Sequence, residues 1–159
     1  MATLKDRLNK DLVVALKARD ENKVATLRFL NSAIHNKEID KRAQTSGGDE
    51  LLTDEETLAV LKNEAKKRKE AIELYDKGGR ADLSGKEKSE LEIIEEYLPA
   101  ELNDGELEKI VAEVFEELGR PQGGPVGADF GKVMGVAMKK VGGRASGDRV
   151  KEFIQRKLT

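Results

Sequence analysis

The chain has no cysteine and no tryptophan, one histidine and three prolines, and only 4% of its 159 residues are aromatic. Without cysteine there can be no disulfide, thiolate nucleophile or Cys-ligated zinc, and such usage fits a reducing compartment. Long apolar runs are missing too. The longest, Leu12 to Leu16, is five residues, and the start, Met1 to Arg7, is polar and charged. Neither feature makes a signal segment or a membrane span, so the expected location is the cytoplasm, with no membrane association.

What is present is charge. Asp, Glu, Lys and Arg make up 38% of the chain, and the scarcity of aromatics and proline favours helices over sheets. A formal net charge of −2 argues against strong, non-specific nucleic-acid binding. The charge is unevenly distributed, however. Ala100 to Gly119 holds seven acids and one base, whereas Arg120 to Thr159 holds nine bases and three acids. A polyanion should therefore meet the C-terminal end.

Hydrophobic spacing sets the fold class as all-α: a four-helix N-terminal region (1–99) followed by a small three-helix C-terminal module (100–159). Leu4, Leu8, Leu12 and Leu16, with Val13, stripe a first helix to about Arg19; Asp20 caps a second carrying Val24, Leu27, Leu30 and Ile34. Thr53 and Glu56 form a capping box for a third helix with Leu58, Leu61, Ala65, Ile72 and Tyr75 inside, Lys66 to Lys69 solvated, and Gly78 and Gly79 as the stop. Ser84 and Glu87 suggest the same box for a fourth, ending at Pro99. In the C-terminal module Asn103 and Glu106 cap a helix that Gly119 ends. A Gly/Pro-rich loop runs through Gly127, Asp129 caps the next helix, and the last carries Val150, Phe153, Ile154 and Leu158. The string GGRA recurs at Gly78 and Gly142, each time just past a helix, and reads as repeated C-cap chemistry.

Chemical motifs are sparse. GADFGKV, Gly127 to Val133, is one residue short of a phosphate loop and lacks its hydroxyl and preceding strand; its glycines read as turn and close-packing positions. His35, beside Ile34, reads as helix surface rather than as part of a catalytic relay. Asp54, Glu55 and Glu56 lack the alternation of a calcium loop and read as first-turn acids, and Glu92, Glu95 and Glu96 read as a solvated face. No catalytic residue, metal ligand or cofactor is indicated. The feature with directional meaning is the cluster Lys132, Lys139, Lys140, Arg144 and Lys151 around glycine-rich sequence, where cations and exposed amides can meet phosphates. No aromatic platform accompanies it, so backbone contact is expected rather than base stacking.

The string DFGKVMGVAMKKVGGRASGDRVKEFIQRKL, Asp129 to Leu158, resembles the signature of the GatB/YqeY family. TLRFLNSAIHNKEI, LTDEETLAVLKNEAKKRKEAIELY, GGRADL and EYLP resemble its free-standing YqeY-like members. The resemblance implies a helical bundle followed by a module similar to the tail of the B subunit of the tRNA-dependent amidotransferase, a glutamine-dependent carbon-nitrogen ligase, where that tail helps hold tRNA. No part of this chain resembles the catalytic domain or the glutaminase partner. The implied function is thus a tRNA-associated accessory protein of the amidation or translation machinery, not catalytic alone. Gly131, Lys132, Gly135, Gly143, Arg144 and Gly147 occupy the family's signature positions; the cations are the implied tRNA contacts, and Gly131, Gly135, Gly143 and Gly147 the implied structural turn. Arg28, in the TLR segment, reads as partly buried and paired. A protein-interaction adaptor without RNA and an independent amidotransferase remain the alternatives.

Overall fold

The computed structural model describes residues 2–46, 48, 51–120 and 128–158. Among them are seven α-helices and no strand: α1 Leu4–Ala18, α2 Glu21–Gln44, α3 Asp54–Lys77, α4 Ala81–Glu95, α5 Asp104–Leu118, α6 Ala128–Val141 and α7 Gly147–Leu158. They fall into two compact units, Met1–Leu98 and Pro99–Thr159.

The first unit holds α1 to α4, each antiparallel to the one before. Arg19 takes the left-handed conformation at the end of α1 (φ 55°), and the Asp20 carboxylate accepts the Lys23 amide to open α2. Thr3 with Asp6, and Thr53 with Glu56, form reciprocal capping boxes on α1 and α3. Leu8, Leu27, Leu30, Ile34, Leu61 and Ile94 are fully buried at the centre. Tyr97 closes one end by donating its hydroxyl to Asp11 at 2.6 Å; burial, then the Asp11 carboxylate, push that phenol well above its usual range.

Two buried ionic groups tie the helices. Lys5 donates to both oxygens of Glu38 at 2.7 and 2.8 Å, and the Glu38 side chain is 2% exposed. Arg68, 8% exposed, bridges Glu64 and Glu90 at 3.1 Å each, its guanidinium 4.8 Å from the Phe29 ring centre. This corrects two sequence readings. Arg28 is exposed and has no side-chain partner among the described residues, because the core line of α2 runs through Leu27, Leu30 and Ile34. The buried, paired arginine is Arg68, inside the stretch expected to be solvated, because the inward line Thr57, Leu61, Glu64, Arg68 continues through it.

The start of α4 also differs. It begins at Ala81 without a side-chain cap, and Ser84 is buried within the helix, so Ser84 and Glu87 form no box. Arg80 instead pairs with the first-turn Asp82 at 3.1 and 3.2 Å. Glu95 and Glu96 reach Lys69 and Lys23, and Asp54 accepts the Leu4 amide at 2.9 Å while Glu56 meets Lys41 at 2.8 Å.

The second unit packs α5, α6 and α7 around Leu107, Val111, Val114, Val133, Ala137, Val141, Val150 and Ile154. The Asn103 and Glu106 box opens α5, and Gly119 ends it. Asp129 lies in the first turn of α6 rather than at its cap, where a carboxylate favours the helix dipole. The expected Gly/Pro-rich loop, 121–127, lies outside the described residues. Both GGRA segments place a left-handed glycine just past a helix, Gly79 (φ 70°) and Gly142 (φ 57°).

Glu38 gives the first unit a pH signature. Burial alone raises its carboxyl, but the hydrogen bond and charge of Lys5 outweigh that and hold it below the ordinary glutamate value. The pair's stabilisation is therefore present above the unfolded glutamate pKa and lost as pH falls through the lowered folded value. Glu38→Gln is expected to cost about 1–3 kcal/mol at pH 7 in urea denaturation, with the gap from the parent closing below about pH 4. A gap that persists unchanged to pH 3 would contradict this assignment.

Candidate nucleic-acid interface

α6 is built with two unlike faces. Val133, Ala137 and Val141 lie on one line, fully or almost fully buried, with Phe130, Met134 and Met138 partly buried beside them. On the opposite side Gly131, Lys132, Gly135 and Lys139 are all exposed. Beyond the backbone of its own helix, a Cβ built at Gly131 or Gly135 meets no atom of the described residues within 4 Å. Both glycines therefore sit inside a helix, not in a turn, and no close helix packing demands them. This overturns the expected turn role at these two positions. Gly143 (φ 78°) does lie in the link after α6, while Gly147 is the first residue of α7.

The five candidate cations fall into two groups. Lys140 bonds Glu117 and lies 4.0 Å from Glu113, both on α5; the hydrogen bond to Glu117 raises its pKa. Arg144 turns back on the end of α6, its Nε donating to the Val141 carbonyl at 3.0 Å and its Nη2 to the Lys140 carbonyl at 3.3 Å. There it caps carbonyls that the helix leaves open. Lys132, Lys139 and Lys151 are exposed and have no side-chain partner among the described residues. Lys132 and Lys139 share one face of α6, two turns apart, with Gly135 between them; Lys151 stands on α7.

The unit also uses a cation that sequence reasoning counted but did not single out. Arg149 donates to the Leu102 carbonyl at 3.0 Å and to Asp104 at 2.8 Å, tying α7 to the start of α5. The Arg144 carbonyl accepts the Leu102 amide at 2.8 Å nearby. These contacts join residues more than forty positions apart, which spacing along one helix does not reveal.

The first unit contributes a groove of about 710 Å³ between α2 and α3, bordered by Phe29, Asn36, Lys37, Val60 and Asn63. None of the candidate residues lies in it, and four of its ionic groups are paired, Lys41 with Glu56 and Lys67 with Glu64. His35, with a 63% exposed side chain, stands 3.9 Å from Glu38. Among the described residues no three His, Cys, Asp or Glu side chains gather as a metal site, and no helix is long and apolar enough to cross a membrane.

A family model described as Yqey-like protein matches residues 5–158. The chain belongs to the YqeY-like family. Its curated relatives include proteins named "Altered inheritance of mitochondria protein 41, mitochondrial". The one from Vanderwaltozyma polyspora is 37% identical over 120 residues, covering 70% of this chain and 60% of that protein. In Lachancea thermotolerans the match is 41% over 91 residues, 57% of this chain and 46% of the relative. In Pyrenophora tritici-repentis it is 25% over 155 residues, 96% and 77%. The chain thus spans about half to three fifths of the first two relatives. These names overturn the expected cytoplasmic location, since they point to mitochondria. Absent cysteines and short apolar runs describe any reducing aqueous compartment and do not single out the cytoplasm.

For this YqeY-like chain the glycines of α6 make a sharp stability prediction. Since Ala fits at both positions and helical glycine is unfavourable, Gly131→Ala and Gly135→Ala should each stabilise by about 0.5–1 kcal/mol. The midpoint of urea unfolding measures this, and a loss of stability would show that the bare backbone serves packing after all.

Proposed function

We infer that this protein is a tRNA-associated accessory factor whose second unit docks on the sugar-phosphate surface of folded RNA. The observation that carries the reading is the outward face of α6, where two glycines leave the backbone bare beside two lysines without a side-chain partner among the described residues. A polynucleotide strand can approach such a face to van der Waals distance while the ammonium groups reach its phosphates. Phe130 and Phe153 pack against the core, consistent with backbone contact rather than base stacking. Family membership supports the reading through the resemblance of this segment to the tail of the amidotransferase B subunit. On that reading amide chemistry belongs to a separate catalytic body, and this chain is not catalytic alone.

The acidic α5 limits the interaction to a local one. Its carboxylates engage Lys140 and leave Lys132, Lys139 and Lys151 as the contacting charges. With about three phosphates neutralised, log affinity should fall against log salt with a slope of about −2 to −3. Lys132→Ala and Lys139→Ala should each flatten that slope by about one unit, whereas Lys140→Ala and Arg144→Ala should chiefly lower thermal stability. Filter binding of tRNA across a salt series measures all four. No retention of tRNA by the parent protein at low salt would refute the proposal.

A further inference from the structure

The outer surface of α1 carries an apolar patch that the core does not use. Val13, Val14 and Leu16 are 49%, 58% and 45% exposed. Lys10 and Lys17 lie one turn to either side of the valine pair on the same outward face. The Asn31 to Asn9 hydrogen bond sets the antiparallel register of α1 and α2. Arg28, one turn before Asn31, therefore stands alongside Val13, one turn after Asn9. Arg19 sits at the turn that follows.

The charges of this corner are unequally engaged. Asp6 closes the α1 capping box, Asp11 accepts from Tyr97 and Asp20 caps α2, so three of the local carboxylates already have structural duties. Lys10, Lys17, Arg19 and Arg28 have no side-chain partner among the described residues. The patch thus presents aliphatic groups framed by cations that no described side chain pairs, and the complementary surface is aliphatic and anionic.

We propose that the outward face of α1, with Arg28 of α2, docks an acidic amphipathic helix of a partner protein, its aliphatic side chains seated on Val13 and Val14 and its carboxylates one turn to either side. The i, i+3, i+4, i+7 spacing puts Lys10, Val13, Val14 and Lys17 on one outward stripe along which a second helix can pack, the valines at its centre and a lysine at each end. A bilayer fits less well, since short valines framed by longer lysines are held away from acyl chains. RNA fits less well too, because an apolar centre contributes nothing to phosphate contact. This surface belongs to the first unit and is independent of the proposed RNA face.

The test is selection from a displayed library of single helices, Ala/Gln-rich with eight positions randomised, against the full chain. Helices with aliphatic seams flanked by Asp or Glu should be enriched. Their affinity should fall at least tenfold for the double variants Val13→Ser/Val14→Ser and Lys10→Glu/Lys17→Glu, whose helicity by circular dichroism should match the parent because all four sites are exposed. The proposal is overturned if no helix is enriched, if enriched helices lack an acidic bias, or if both variants bind them as well as the parent. Co-sedimentation with anionic lipid vesicles that is lost in the same variants would assign the face to a membrane instead.

Discussion

Narrow apolar seams are the constraint on which this structure rests. Charged residues are 38% of the chain, so each helix can turn only a thin line of aliphatic side chains inward. In the first unit Leu8, Leu27, Leu30, Ile34, Leu61 and Ile94 meet at zero exposure. Lines this thin leave ionisable groups at the seam's edge, and the structure answers by pairing them. Glu38 is held by Lys5, and Arg68 is shared between Glu64 and Glu90. A buried charge without its partner would cost several kcal/mol (about 3–5). The polar contacts are therefore part of what selects the arrangement of α1 to α4.

The same constraint frees the outward faces to differ. α6 shows this most clearly, with Val133, Ala137 and Val141 inside and Gly131, Lys132, Gly135 and Lys139 outside. Glycine within a helix lowers stability relative to alanine, and neither close packing nor a positive φ calls for it at Gly131 or Gly135. A surface role is the reading that accounts for both positions at once.

Much of the fold was legible before any coordinates, and for physical reasons. Periods of 3.6 residues and the boxes at Thr53 and Asn103 are local signals, and α3 and α5 follow them. The failures are also local in origin. Ser84 and Glu87 match a box by spacing, but spacing does not fix the extended backbone that a cap requires, and the N-cap of α4 is Arg80, four residues earlier. Gly131 and Gly135 suggest a turn by composition, yet α6 passes through both. Arg28 and Arg68 exchange expected roles because which arginine is buried depends on helix rotation in the bundle. Of the candidate interface, the identity of the cations could be read from sequence. Which were already engaged could not, since the Lys140 pairing with Glu117 and Glu113 is a tertiary contact.

The central claim is tested most directly by asking whether tRNA contacts the chain and at which residues. An amide-resolved NMR titration of the full protein with tRNA at low salt answers both without altering any residue. The account predicts shift changes concentrated on 131–143 and around Lys151, with the groove between α2 and α3 unaffected. Changes confined to the first unit, or none at all, would contradict it.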